Sequence, residues 1–276
     1  MSQVTASDVA KLRKVTGAGM MDCKNALVEA EGDFEKAIEI IRKKGKAIAN
    51  KRADREASEG CVIAKTSECG KKGVILALNC ETDFVAKNDD FVAFANNIAD
   101  IALGNMPGSL EALMALEIDG RPISENITDK IGTIGEKIEL SYFDKIEAAF
   151  VMNYIHLGSK LGTLVGFNKT MNDVQVAKDI AMQIAAMSPV AIDQNDVPKE
   201  VIEKEIEIGR EQARQEGKPE EMLDKIAMGK LNKFYKESTL LNQEFIKDQK
   251  ITVKQYLQNC DKELGITSFK RYGLTL

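Results

Sequence analysis

Two segments of this chain carry the same pattern of strand, turn, strand and helix, and that repetition limits the folds open to it. In the first, Cys61-Val62-Ile63-Ala64 is apolar and partly β-branched, and Ser67-Glu68-Cys69-Gly70-Lys71-Lys72-Gly73 is a turn. Val74 to Leu78 is then a continuous apolar run of the kind found in a buried strand. A helix begins at Asn88-Asp89, with Phe91, Phe94, Ala95, Ile98 and Ala102 on one face. In the second segment, Phe150 to Ile155 and Thr163 to Phe167 are the strands, and Leu157-Gly158-Ser159-Lys160 is the turn. A helix follows Asn172-Asp173, with Val176, Ile180, Ile184 and Met187 on one side. Gly73 and Gly162 take matching turn positions in the two copies. Connections this short pair the strands antiparallel. The expected fold class is α+β, with two related subdomains.

The flanking segments are helical. Before the repeat, Ser7 and Asp8 are expected to cap a helix with Val9, Leu12 and Val15 on one side. Thr16-Gly17-Ala18-Gly19 breaks it. Cys23, Ala26, Leu27 and Ala30 stripe a second helix, and Phe34, Ala37, Ile38 and Ile41 a third that stops before Gly45. Three such helices make a small bundle. Residues 42–55 read as a charged linker helix, so the first boundary falls near residue 55. The core subdomains are then 56–145 and 146–276. Within the second, residues of about 199–236 form an antiparallel helical hairpin split at Gly217-Lys218-Pro219. Ile202, Ile206 and Ala213 face Leu223, Ala227, Leu231 and Phe234 across a narrow seam. Such an arm is either a contact surface or a solvated structural element. A helix from Val253 and a strand from Ser268 to Tyr272 end the chain.

Composition excludes several function classes. With a single histidine, His156, the chain cannot build a metal site from two histidines. Its five cysteines (Cys23, Cys61, Cys69, Cys80, Cys260) form no Cys-x-x-Cys pair, which suits reduced and mostly buried thiols. Neither a metal nor a cofactor is expected. Residues 1–52 hold 11 Lys+Arg against 7 Asp+Glu, yet the whole chain has a net charge of −5. That balance argues against direct nucleic-acid binding, which needs excess positive charge. Apolar runs are far shorter than the roughly 20 residues of a membrane span. Met1-Ser2-Gln3-Val4-Thr5 has neither the basic nor the apolar part of a secretion signal, so the expectation is a cytoplasmic protein away from the membrane.

The search for catalytic chemistry yields little. No Gly-x-x-x-x-Gly-Lys-[Ser/Thr] loop is present, and Gly17-Ala18-Gly19 has Asp22 where a dinucleotide fingerprint needs glycine. His156 lies near a strand end, where a general base and a surface residue look alike. Without a catalytic set, the expectation is a protein that acts by binding, not an enzyme. One connection stands apart: Cys80-Glu81-Thr82-Asp83-Phe84-Val85-Ala86 puts an aromatic ring beside an acid on a surface loop. Either Phe84 or Val85 staples the following helix, or the ring is presented outward.

Two long motifs give this loop a second meaning. They are Leu12-Arg13 with Thr16-Gly17-Ala18-Gly19-Met20-Met21-Asp22-Cys23-Lys24, and Asn79-Cys80-Glu81-Thr82-Asp83-Phe84-Val85-Ala86-Lys87. Ile134-Gly135-Glu136, His156 through Gly162, Gly217-Lys218-Pro219, Gly229 and Lys233-Phe234 follow in the same order. On these residues the chain closely resembles the bacterial translation elongation factor Ts family, guanine-nucleotide exchange factors for the GTPase elongation factor Tu. The resemblance implies a ubiquitin-associated-like N-terminal module that docks on the GTPase, two core subdomains and a protruding hairpin. It implies that Thr82, Asp83, Phe84 and Val85 dislodge the GTPase's magnesium ion. It further suggests partner contacts at Met20, Met21, Ile134, Gly135 and His156. The hairpin is the candidate surface for homodimerisation. The family often carries a further C-terminal helix on its partner, and this chain's sequence stops soon after the expected last strand.

Overall fold

The computed structural model describes residues 4–171 and 173–274. Asn172, read above as starting the second helix, lies outside the described residues. The first helix, α1 (Ala6–Thr16), is capped by Thr5, whose side chain accepts from the Asp8 N–H while Asp8 reaches back to the Thr5 N–H. Ser7 and Asp8 are therefore inside the helix, and Asp8 closes a capping box. Val15, expected on the inner side, is 64% exposed, and only Val9 and Leu12 of α1 are buried. Helices α2 (Met20–Glu29) and α3 (Phe34–Arg52) complete a three-helix bundle around Leu12, Cys23, Leu27 and Ala37. The third helix does not stop before Gly45: a single helix runs through to Arg52 and takes in most of the expected linker.

The first core unit opens with β1 (Glu59–Thr66) and β2 (Lys72–Cys80), paired antiparallel from Glu59–Cys80 to Thr66–Gly73. A short helix α4 (Asp83–Ala86) precedes α5 (Asp89–Asn105), which Asn88 caps. Next come α6 (Leu110–Met114), the two-residue strands β3 (Glu117–Ile118) and β4 (Arg121–Pro122), and α7 (Ile123–Ile134). β5 (Ile138–Glu147), which sequence reading passes over, pairs with β2 and completes a three-stranded sheet in the order β1-β2-β5.

The second unit repeats the hairpin with β6 (Phe150–Ile155) and β7 (Leu161–Phe167), then α8 (Val174–Met187). Met187, expected on the inner face of α8, is exposed. The arm is α9 (Lys199–Gln215) and α10 (Glu220–Ser238), slightly longer than read from sequence. A small hairpin of β8 (Glu244–Phe245) and β9 (Asp248–Thr252) leads into α11 (Val253–Cys260) and β10 (Ile266–Gly273). β10 pairs with β7 and gives a second sheet in the order β10-β7-β6. Both sheets are antiparallel, and the fold class is α+β.

The two sheets pack face to face. Val62, Ala64, Ile75, Ala77, Ile146, Val151 and Leu164 fill the space between them. The alternate residues of β2, namely Val74, Leu76, Leu78 and Cys80, turn the other way onto α5 and α7. Two buried faces explain why Val74–Leu78 carries no polar residue: in a strand successive side chains face opposite sides, and here both sides are core. The repeated glycines are not turn residues. Gly73 and Gly162 lie within β2 and β7, where a β-carbon would come 2.7 Å from Val151 and 2.8 Å from Val62, respectively. They let the sheets approach. Three of the cysteines, Cys23, Cys61 and Cys80, are buried free thiols, whereas Cys69 and Cys260 are exposed. Among the described residues, no helix is long and apolar enough to cross a membrane.

Candidate functional site

The segment after β2 leaves the sheet abruptly. Thr82 is extended (φ −124°, ψ 153°), and its hydroxyl oxygen accepts from the Val85 N–H at 3.4 Å, which caps the single turn of α4. Adjacent helical residues diverge by about 100°. Val85 therefore packs onto the core beneath, while Phe84 is 84% exposed. Val85 takes the inner position; Phe84 is presented to solvent. Beside it, Asp83 pairs with Lys87 at 2.7 Å. The hydrogen bond and charge of Lys87 hold the Asp83 carboxyl below its usual range.

Two carboxylates hold this turn in place. The Thr82 N–H and hydroxyl both donate to Glu136, at 3.1 and 2.7 Å. Glu81 in turn accepts the Lys137 N–H at 2.6 Å and the Arg52 guanidinium at 3.0 and 3.1 Å. Arg55 adds a contact at 3.3 Å. Burial works against the Glu81 charge, but the Lys137 N–H and the two arginines outweigh it and leave its pKa below the ordinary glutamate value. Beneath the turn, the Cys80 thiol donates to the Thr82 carbonyl at 3.2 Å. Burial, helped by the Glu136 charge, pushes it up to about 12, so it remains protonated at neutral pH.

Ile134 and Gly135 end α7 directly before Glu136. Gly135 is left-handed (φ 80°) and its N–H closes the helix on the Ile131 carbonyl. The fold thus brings this pair to the Thr82 turn although 54 residues separate Thr82 from Glu136. His156 arrives from the other sheet. It follows β6 in a turn whose Ser159 carbonyl accepts the Val62 N–H at 2.7 Å. Lys160 in that turn pairs with Glu59 at 2.7 Å, and Glu59 lies opposite Cys80 in the ladder. Through Lys160, Glu59 and Cys80 the two turns share one end of the sandwich. His156 is exposed, with the Tyr154 hydroxyl 3.0 Å from Nδ1.

Sequence reading missed Leu157. It is 92% exposed, more than any other large apolar side chain of the described residues, and stands next to His156. Its signal was an apolar residue at the tip of a two-strand connection, where turn chemistry favours polar residues.

Met20 and Met21 begin α2 and are also exposed. They belong to the bundle, which is joined to the core through α3 against α7. Between the bundle and α5 and α7 lies a cavity of about 580 Å³ lined by Val15, Ile41 and Phe94 among others. Of its charged residues, Asp22 pairs with Lys44 and Arg121 with Asp129, and Lys130 lies over the Phe94 ring.

Comparison with known proteins bears on the whole chain. A family model described as Elongation factor TS matches residues 81–275. The elongation factor Ts of Porphyromonas gingivalis is 53% identical over 272 residues, which covers 98% of each chain. That of Christiangramia forsetii is 51% identical over 275 residues, 99% of this chain and 100% of the relative. That of Cytophaga hutchinsonii is 48% identical over 278 residues and covers both chains fully. With a family model over most of its length and half its residues shared with full-length relatives, this chain belongs to the elongation factor Ts family.

Proposed function

We propose that this chain binds elongation factor Tu in its GDP-bound form, displaces the bound Mg²⁺ and promotes release of GDP, so that GTP rebinds during translation elongation. Family membership supports the exchange function, and the observation that carries the mechanism is the exposure of Phe84 on a turn tied down from two sides. Magnesium bridges nucleotide phosphates and protein in a GTPase, so a wedge that shifts the elements around it weakens nucleotide binding. Burying the Phe84 ring in a partner pocket contributes about 1.5–3 kcal/mol. That is about 10- to 100-fold in affinity or release. Larger accelerations need further contacts, and Leu157, His156, Ile134, Gly135, Met20 and Met21 are the residues proposed to make them.

In this reading residues 1–55 are a docking module, 56–145 carry the wedge and 146–276 carry the Leu157 turn and the helical arm. The arm is free for a second contact or for pairing with another copy. The action is differential binding, with no covalent step and no cofactor. Coupling is reciprocal, so GDP weakens the grip of this protein on the GTPase by the same factor. The site of action is the cytoplasm, with no direct nucleic-acid contact.

The test is the release rate of a fluorescent GDP analogue from elongation factor Tu in excess unlabelled GDP. A large acceleration that rises with the concentration of this protein is expected. Absence of acceleration with a binding-competent Tu from the same organism would remove the exchange reading.

A further inference from the structure

We propose that Glu136 and Glu81 are positioning residues: together they form a reciprocal clasp that sets the direction in which Phe84 is presented. The inference rests on the exchange reading above and adds the device that makes the wedge stiff.

The β2–β5 ladder ends at the pair Cys80–Ile138. Continuing that antiparallel register places Glu81 opposite Lys137 and Thr82 opposite Glu136. No backbone ladder forms there, because the chain turns into α4. Side-chain oxygens take its place. The Glu81 carboxylate accepts the N–H of Lys137 at 2.6 Å, and the Glu136 carboxylate accepts the N–H of Thr82 at 3.1 Å. Each acid bonds the backbone of the residue across from it. Glu136 also takes the Thr82 hydroxyl at 2.7 Å, the same hydroxyl whose oxygen caps α4. Arg52 and Arg55 anchor Glu81 from the end of α3.

The clasp is needed because α4 is too short to hold itself. It has four residues, and an isolated helical turn of that length is unstable in water. Its direction is therefore imposed at Thr82. An exposed ring on a loose turn reaches its partner pocket in many orientations, and misplacement of the order of 1 Å lowers a geometry-dependent rate by up to about a hundredfold. Loss of the clasp should thus lower the maximal rate of stimulated GDP release more than it changes the concentration giving half-maximal rate.

The chain has no tryptophan, so Phe84→Trp installs a single tryptophan on the turn, which is excited selectively over the five tyrosines. Time-resolved anisotropy of this variant, without any partner, is compared with that of the same protein carrying Glu136→Ala. A new nanosecond depolarisation with Glu136→Ala is expected. Unchanged decay would overturn the clasp. In the exchange assay, Glu136→Ala in the otherwise native chain is expected to lower the maximal release rate about tenfold or more. Glu136→Gln, which keeps one acceptor oxygen, should recover part of it. Thr82→Ser should stay near the native rate while Thr82→Val falls, which repeats the comparison without touching Glu136 should Glu136→Ala not fold. Faster depolarisation with an unchanged maximal rate would overturn the positioning role. If the native protein fails to stimulate release at all, the exchange reading falls while the anisotropy comparison still decides the clasp.

Discussion

Gly45 in α3 and Gly132 in α7 meet backbone to backbone: a β-carbon on Gly132 would lie 2.5 Å from the Gly45 Cα. This crossing joins the N-terminal bundle to the core. The contact is asymmetric, since a β-carbon on Gly45 would stand an ordinary 3.5 Å from the Gly132 Cα. Gly132→Ala is expected to destabilise the protein by about 1–3 kcal/mol through overpacking. Gly45→Ala should be neutral or stabilising by up to about 1 kcal/mol, because alanine is the better helix former. Urea midpoints of the two variants check the difference in sign.

Gly60 poses a stricter demand. It lies opposite Asn79 near the start of β1 at φ +145°, and a β-carbon there would fall 2.2 Å from the Leu78 carbonyl oxygen. Gly60→Ala combines that clash with a backbone conformation reserved for glycine, and more than about 3 kcal/mol of stability should be lost. Thermal unfolding followed by circular dichroism measures it; a melting temperature within a degree or two of the native value would contradict the geometry.

Phe84→Ala should leave stability untouched, since the ring is 84% exposed in the isolated chain. Stimulated GDP release should drop about tenfold or more. A folded variant with near-native exchange would remove the wedge.

Leu157→Ala likewise removes an exposed side chain without opening a cavity. Its expected effect is on affinity: the concentration needed for half-maximal exchange rises by up to about tenfold, in proportion to the apolar area lost. A titration calorimetry curve superimposable on the native one would show that Leu157 faces no partner.

The Glu81 cluster predicts a pH dependence. Its carboxyl has a folded pKa below the ordinary 4.5, despite a burial effect that acts in the opposite direction. A depressed acid contributes stability that is present above its unfolded pKa and is lost as pH falls through the folded one. The stability difference between the native chain and Glu81→Gln should therefore be constant from neutral pH to about 5 and shrink below 4.5. Urea midpoints measured across that range test it. A difference that grows on acidification would have the wrong sign.

Much of the fold is legible from local rules. The apolar stripe of α5 and the unbroken run in β2 announce their elements because periodicity reports burial directly. The exposed turn at Phe84 is legible through its composition and through the family's motif. Other features escaped for reasons that are equally physical. A glycine in mid-helix reads as a stop, and the end expected before Gly45 ignored what Gly132 requires at the crossing. Gly73 and Gly162 read as turn residues because nothing nearby reveals that two sheets must approach there. β5 hides its alternation where the pairing shifts register opposite Ala77 and Leu78.

The sequence by itself determined the N-terminal helices, the two hairpins, α5, α8 and the helical arm, and which loop carries an aromatic ring beside an acid. Those are properties of neighbours along the chain. Only the tertiary structure decided that Val85 turns inward and Phe84 outward, that Glu136 meets Thr82 across 54 residues, and that the Leu157 turn shares an end with both. Each of these depends on which buried faces win the core and where the strand ladder ends, and long-range packing sets both.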